Sequence, residues 1–223
     1  MKEAFYSGAQ LKHRVAWALS QIWVTSGVDI QQSRHMVEWH KVLSRNAFGN
    51  YRNLMEEMTL HPTMGEYLSM NLSTRTNPNE NYAREIMQLF TIGLFMLNQD
   101  GTLQTSGGNP IPTYDQNGVN NLTKVFTGWK LCNIQGASCP NIAVGTENYI
   151  DPMLLNRGVT NVNNNQHDLT AKTLLNYPGS TTTNIAACTN CTTLPNISTY
   201  AYASMDQALD NMYNHPNVGP FVS

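Results

Sequence analysis

The chain has 223 residues and a formal net charge of −2, and only 13% of its residues are charged. This share is about half of the globular average, and no cluster of lysine and arginine occurs, so nucleic-acid binding has little support. No apolar run approaches the ~18 residues of a membrane-spanning helix. The first ten residues also lack the apolar centre of a signal peptide. The composition therefore predicts neither a nucleic-acid partner nor a membrane span.

Apolar residues recur at helical spacing through most of the first 129 residues and again near the C-terminus. The predicted helices cover residues 3–26, 33–44, 51–60, 63–70, 77–93, 117–129 and 198–215. Gln99–Thr102 has the composition of a tight turn, which leaves room for one small β-hairpin. Residues 130–197 lose the periodicity and are rich in Asn, Thr and Gly.

These patterns predict an all-α fold, in which an irregular multi-helix core carries long Asn/Thr/Gly-rich loop insertions. We expect one helical domain over residues 1–223. Its core would occupy about 3–129 and 198–216, and its loop-rich insertion would occupy about 130–197.

The helix predicted at 77–93 carries the most informative pattern. Asn77 is placed to cap it, Pro78 suits its first position, and Gly93 can end it in a left-handed conformation. One side of the helix is broadly apolar, which predicts burial. The opposite stripe is polar and consists of Asn81, Arg84, Glu85 and Gln88. Polar groups on a buried helix need partners, so this stripe is either a functional site or a structural network.

Five side chains are candidates for chemistry: Glu85, Arg84, His61, His167 and Asp168. A carboxylate and a histidine brought together could perform acid–base catalysis or bind a divalent metal, while an arginine orients an anionic substrate. Structural ion pairs and solvated loop residues are the alternative explanation. The sequence contains no specific motif for a metal or other cofactor, and a nucleophile elbow, a phosphate-binding glycine loop and a His-Glu-x-x-His helix are all absent from it.

The pattern His-Pro-x-apolar-Gly occurs twice, at His61 and at His215, each time after a predicted helix. A repeated device that stops a helix explains both copies, since histidine is favourable at a helix C-terminus. The alternative is that both histidines face one site.

The four cysteines form two local pairs, Cys132/Cys139 and Cys188/Cys191. Two disulfides in an exported protein are the favoured interpretation, and zinc binding or free thiols are the alternatives. A redox role for Cys188 and Cys191 is disfavoured, because the surrounding Thr/Asn-rich sequence predicts no strand–helix junction that would lower a thiol pKa.

Several segments together resemble the bacterial domain-of-unknown-function 1800 family. They are His61–Leu68, Asn79–Glu85, Leu89–Gly93, Phe126–Trp129 and His215–Phe221, supported by Asn46–Tyr51 and by His167-Asp168 with Lys172. They occur in the family's order from about Arg14 to Phe221. Two positions depart from the family's pattern, with Gln88 where glutamate is frequent and Gly118 where aspartate is frequent.

The resemblance implies a fragment of a longer protein, because family members have a further helical region before this segment and a further part after Phe221. Many members are exported, so an extracytoplasmic location is expected, with the signal peptide outside this fragment. A sulfatase-like protein encoded nearby is the partner that the resemblance suggests. No established activity comes with the family.

We therefore expect a binding or assembly role with a protein or surface-glycan partner. The alternative is a metal-assisted or acid–base hydrolase that uses a Glu/His/Arg site, and the sequence does not decide whether the chain is an enzyme. A polar stripe that lines an open pocket favours the enzyme, whereas a closed network of ion pairs favours the binding role.

Overall fold

The computed structural model describes residues 8–132, 139–141 and 148–223. Its contacts separate the chain into two compact units. Unit 1 comprises Met1–Tyr67 and Leu131–Met153, and unit 2 comprises Leu68–Lys130 and Leu154–Ser223. The insertion predicted at about 130–197 is thus shared between the units, and the single domain over residues 1–223 stays a prediction.

Unit 1 is helical over most of its described residues. Its helices are α1 (Gln10–Ile22), α2 (Ser33–Arg45), α3 (Tyr51–Leu60) and α4 (Pro62–Tyr67). Leu43 of α2 and Leu54 and Met58 of α3 are buried, as their helical spacing predicts. The helix predicted at 3–26 is present as α1 from residue 10 onwards, and residues 1–7 lie outside the described part.

Unit 2 is also built around helices. They are α5 (Asn81–Gln88), α6 (Gln116–Val125), α7 (Leu194–Tyr213) and α8 (Val218–Val222), with short 3₁₀ helices at Met70–Leu72 and Val162–Asn164. Tyr82 of α5 packs edge-to-face on Phe126, with ring centroids 4.9 Å apart. Both rings are fully buried, so the apolar face predicted for residues 77–93 forms the centre of this core.

The start of α5 differs from the prediction. The helix begins at Asn81, and Asn77 instead exchanges backbone hydrogen bonds with Thr74 in a tight turn. Asn79 donates its backbone N–H to Ser73 Oγ and accepts the N–H of Asn81 on its side chain. These local bonds compete successfully with a first helical turn. The end of the helix also differs, because α5 stops at Gln88 and not at Gly93, although Gly93 has the predicted left-handed conformation with a φ of +68°.

Three small antiparallel sheets of two strands each complete the described part of unit 2. They are β1 (Thr105–Ser106) with β2 (Asn109–Pro110), β3 (Trp129–Lys130) with β4 (Leu154–Leu155), and β5 (Lys172–Thr173) with β6 (Asn184–Ile185). The turn predicted at Gln99–Thr102 is also present, closed by the Asn98 N–H on the Thr102 carbonyl at 2.8 Å. The mostly helical fold class with small hairpins is confirmed.

Both cysteine pairs are disulfides, Cys132–Cys139 and Cys188–Cys191. The first is fully buried, whereas both cysteines of the second are partly exposed. Bonds of this kind persist in oxidising compartments. Among the residues that the structure describes, no helix combines the length and apolar character needed to cross a membrane.

Candidate functional site

The polar stripe of α5 lies at the surface of unit 2, where Arg84 belongs to a closed network. Its guanidinium donates to Glu80 at 2.8 Å and to Gln116 at 3.0 Å, and the Gln116 amide donates back to Glu80 at 3.0 Å. The hydrogen bond from Arg84 lowers the pKa of Glu80. Arg84 is thus engaged in an ion pair, while the side chains of Asn81 and Gln88 make no hydrogen bond among the described residues.

Glu85 differs from the rest of the stripe because one of its carboxylate oxygens is buried. Within the described residues this Oε2 has no hydrogen-bond partner, and neither has the buried hydroxyl of Tyr114 nearby. Burial raises the pKa of Glu85, although the charge of Arg84 opposes the shift. Burial likewise raises the pKa of Tyr114, and the charge of Glu85 adds to that rise. Both groups therefore keep their protons to higher pH than usual.

His167 is held by the turn that follows α6. Its Nδ1 lies 2.8 Å from the Thr127 carbonyl, so this nitrogen carries the proton. Gly128 makes the approach possible, because it has a φ of +82° and a Cβ there would lie 2.8 Å from the His167 backbone nitrogen. Burial lowers the pKa of His167 to about 4. His167 is thus a neutral, buried anchor at neutral pH, and its Nε2 has no hydrogen bond within the described residues.

Asp168 follows His167 in the chain and is partly exposed. Its backbone N–H donates to Thr127 Oγ1 at 2.8 Å, and its carboxylate accepts the N–H and the hydroxyl of Thr170 at 2.8 and 2.6 Å. Burial alone would raise the pKa of Asp168, but these bonds and the charge of Lys172 lower it overall. Asp168 is therefore an ionised, partnered carboxylate.

Lys172 lies buried behind Asp168. Its ammonium donates to the carbonyls of Asp168 and Thr170 at 2.8 and 2.9 Å and to the hydroxyl of Tyr200 at 3.1 Å. Burial lowers its pKa to about 8. Since all three ammonium protons are used, Lys172 ties the loop to α7 and has no free donor for a ligand.

Asparagine side chains fix the preceding loop. Asn165 accepts from the amide of Asn156 and donates to the His167 carbonyl, at 2.8 and 2.7 Å. The Gln166 carbonyl accepts the backbone N–H of Arg75 at 2.7 Å. The Asn-rich segment is therefore held in one conformation by hydrogen bonds, and Arg75 lies beside the His167 loop.

Two clefts of unit 2 share Arg75. The first, which we call the Lys124 cleft, encloses about 440 Å³, and the second, the Cys191 cleft, encloses about 430 Å³. The Lys124 cleft is lined by Arg75, Pro78, Glu80, Asn120, Thr123, Lys124, Thr127 and Asp168. The Cys191 cleft is lined by Arg75, Val162, Asn163, Asn165, Leu169, Cys191, Thr192 and Ile197.

The two His-Pro histidines perform the same local task, one in each unit. His61 Nδ1 accepts the N–H of Thr63 at 3.2 Å, and His215 Nδ1 accepts the N–H of Asn217 at 3.1 Å. Each bond satisfies a backbone N–H at the start of the following short helix, α4 or α8. Burial lowers the pKa of His61 to about 3 and that of His215 to about 4. Both contacts agree with a repeated structural device.

The candidate residues belong to different units of the chain. His61 belongs to unit 1, while Arg84, Glu85, His167 and Asp168 belong to unit 2. Of these unit 2 residues, only Asp168 lines one of the two clefts. Among the described residues, no group of three or more His, Cys, Asp or Glu side chains could hold a metal ion.

Sequence reasoning missed Arg75, Lys124 and Tyr114. Arg75 lies in what the sequence presents as a polar link, and Lys124 is the expected basic residue in the last turn of a helix. Tyr114 precedes the helix cap Asp115 and carries no local signal. Their roles depend on contacts with distant segments.

The fold and these clefts define a mostly helical protein with ordered, polar loops and two disulfides. The chain belongs to the family described as "Protein of unknown function (DUF1800)", which it matches over residues 1–223. No curated protein and no solved structure matches the chain.

Proposed function

We propose that the chain is part of an extracytoplasmic binding protein, and that its Lys124 cleft holds an acidic segment of a partner protein. The observation that carries this proposal is that two cations line the cleft, Arg75 and Lys124, and form no ion pair within the described part of the chain. Glu80 is already paired with Arg84, and Asp168 with Thr170 and Lys172. Among the described residues, Arg75 and Lys124 therefore have no ion pair of their own, although the charge of Lys124 contributes to the lowered pKa of Asp168.

The two cations are presented differently to a ligand. One Nη of Arg75 donates to the Asn163 carbonyl at 3.2 Å, which orients the guanidinium and leaves its other N–H groups available. The Lys124 ammonium has no hydrogen bond or ion pair within the described part of the chain. A carboxylate between them would gain charge-assisted hydrogen bonds, and the Asn120 side chain lines the same cleft.

A protein partner fits the cleft better than a glycan. The side chains of described residues that line the Lys124 cleft are polar or charged apart from Pro78, and none of them is an aromatic ring on which a sugar could stack. The aromatic residues of the nearby loops make contacts within the protein. Trp129 is fully buried against Tyr202, and the hydroxyls of Tyr177 and Tyr200 donate to backbone carbonyls. These rings anchor loops to the core.

The two disulfides support an oxidising, extracytoplasmic compartment. A sulfatase-like protein, which the family resemblance suggests, is a candidate for the partner. The buried anchors behind the cleft, His167 and Lys172, support an assembly surface, because they hold its walls rigidly and reduce the entropy lost on binding.

The test is binding of a fluorescein-labelled poly-glutamate peptide to the full chain, followed by fluorescence anisotropy. We expect the double variant Arg75→Ala/Lys124→Ala to weaken binding about tenfold or more. The control is Lys12→Ala/Arg34→Ala, which removes the same charge from exposed positions of unit 1. It should leave the affinity nearly unchanged.

An equal loss of affinity in both double variants would show that binding follows net charge alone. This result would refute the proposed binding site in the Lys124 cleft. Polygalacturonate is measured in parallel. Tighter binding of this polysaccharide than of poly-glutamate, lost in the cleft variant, would replace the protein partner with an acidic glycan. At a salt concentration of about 0.15 M, we expect specific binding to be weaker than at low salt but still measurable.

A second candidate function is acid–base hydrolysis, and the buried oxygen of Glu85 favours it. A carboxyl group with a raised pKa is suited to donate a proton to a leaving group, and Tyr114 lies beside it. The test is hydrolysis of methyl esters, methyl glycosides and alkyl phosphates, whose leaving groups need a proton on departure. If Glu85 is the acid, Glu85→Gln reduces the rate about a hundredfold or more, whereas Glu80→Gln retains it. Equal rates in both variants would remove this candidate.

A further inference from the structure

We propose that the disulfide Cys188–Cys191 is a thiol–disulfide exchange site that oxidises a dithiol of a partner protein. This activity goes beyond the binding role proposed above and does not depend on it. This disulfide lies before a long helix, and Cys191 lines a cleft that Arg75 also lines.

The structure supplies the strand–helix junction that the sequence does not predict. β6 ends at Ile185 and α7 begins at Leu194, so the Cys188–Cys191 loop connects a strand to a helix of 20 residues. Cys191 lies two residues before the helix cap, Thr193. The partial positive charge of a helix N-terminus stabilises a nearby thiolate.

The loop is held in this position from both sides. The backbone N–H of Cys188 donates to the Leu169 carbonyl at 3.0 Å. The Asn196 side chain, in the first turn of α7, donates to the Asn190 carbonyl at 2.8 Å. These bonds do not involve the sulfur atoms, so the loop is expected to keep its position when the disulfide is opened.

The surroundings of Cys191 favour reaction with an incoming thiolate. Cys191 lines the Cys191 cleft together with Arg75, whose positive charge attracts a thiolate and stabilises the one that forms. Asn163 and Thr192 line the same cleft and provide polar contacts for the backbone of a partner. An exchange reaction needs an accessible sulfur, and the cleft supplies that access.

The other disulfide of the chain provides an internal comparison. Cys132 and Cys139 are fully buried, and six residues separate them. Only two residues separate Cys188 from Cys191, and a shorter loop gains less stability from its cross-link. Exposure, loop length and electrostatics therefore all make Cys188–Cys191 the more reducible pair.

The reaction proceeds in two exchanges. In the first exchange, a thiolate of the partner attacks Cys191 Sγ and forms a mixed disulfide. The Cys188–Cys191 bond breaks, and its electron pair leaves on Cys188 Sγ, which takes up a proton. The second thiolate of the partner then attacks the partner's own sulfur in the mixed disulfide and releases Cys191 as a thiolate. The partner dithiol becomes a disulfide, and the two cysteines of this chain receive its two electrons.

The first experiment uses the full wild-type chain. It is equilibrated in glutathione buffers of graded composition, free thiols are trapped with iodoacetamide, and the labelling of each cysteine is measured by mass spectrometry. We expect Cys188 and Cys191 to be half reduced at a reducing strength about tenfold or more below the one that reduces Cys132 and Cys139. Reduction of both pairs together, or of Cys132–Cys139 first, would overturn the proposal.

The second experiment identifies the reacting sulfur. Cys188→Ser and Cys191→Ser are each mixed with excess oxidised glutathione, and the mixed disulfide with glutathione is measured by intact mass. We expect Cys188→Ser, which keeps Cys191, to trap glutathione about tenfold faster or more than Cys191→Ser at neutral pH. Arg75→Ala in the Cys188→Ser background should slow this trapping, whereas Arg34→Ala should not. Equal trapping by the two cysteines would overturn the assignment of Cys191.

Discussion

Substitution of Gly128 by alanine tests how the candidate site is assembled. Gly128 has a φ of +82°, and an added Cβ would lie 2.8 Å from the backbone nitrogen of His167 and 3.0 Å from the carbonyl carbon of Gln166. Both neighbours are backbone atoms, so the His167 loop must move away from the turn after α6. The expected result is a partly detached loop and a distorted Lys124 cleft.

The size of the effect follows from two contributions. A left-handed backbone conformation costs a residue with a Cβ about 1–2 kcal/mol. Moving the loop also weakens the hydrogen bonds of Thr127 to His167 and Asp168, which contribute about 1 kcal/mol each. We therefore expect Gly128→Ala to lower the free energy of unfolding by about 3–4 kcal/mol.

Gly101 provides a matched control. Its φ is +81°, nearly the same as that of Gly128, but an added Cβ would meet nothing within 4 Å. Gly101→Ala should therefore cost only the backbone contribution of about 1–2 kcal/mol. Urea unfolding of both variants gives the difference, and anisotropy with the poly-glutamate peptide shows whether the cleft is lost with the loop. Equal destabilisation by the two substitutions would refute the close contact between Gly128 and the His167 loop.

Other measurements test the buried charges and histidines. His61, His167 and His215 all have lowered pKa values in the folded state. The unfolded chain therefore binds more protons than the folded chain below about pH 6.5. As the pH falls, each histidine should lower the free energy of unfolding by up to about 1.4 kcal/mol per pH unit. Urea unfolding at graded pH measures this loss, and constant stability from about pH 7 to pH 5 would contradict it. Lys172→Met should lower the free energy of unfolding by about 2–4 kcal/mol, because it leaves buried carbonyls without a donor. Arg84→Met, which breaks an ion pair on the surface, should cost less than about 1 kcal/mol in the same urea unfolding assay. A similar loss in both variants would show that Lys172 does not tie the loop to α7 as described.

Local patterns predicted the interior of the helices well. The buried face of α5, including Tyr82 and Ile86, follows from helical spacing alone, because neighbours three and four residues apart share a side whatever the tertiary fold. Its start was not predictable in the same way. Asn77 and Pro78 carry strong capping signals, but Ser73 accepts the Asn79 N–H and holds the chain in a turn. That choice between turn and helix depends on a residue outside the helix pattern.

The site was less predictable than the helices, because its geometry depends on distant contacts. His167 and Asp168 are fixed by Thr127, about 40 residues earlier in the chain. No periodicity links such segments, so the sequence could nominate these two residues but could not show that one is an internal anchor. Arg75 carries no signal at all, since its neighbours predict only a polar link.

Several of the segments that carry the family resemblance lie in unit 2, and some of them contact one another there. The Thr127-Gly128 turn holds the His167-Asp168 segment, and Gly93 packs so closely on Phe221 that an added Cβ would lie 2.5 Å from its ring. These are contacts that build a scaffold. Arg75 and Lys124 lie outside all of the resembling segments. We therefore infer that those segments specify the scaffold of unit 2, whereas the two cations that we propose as the ligand-binding groups lie outside them.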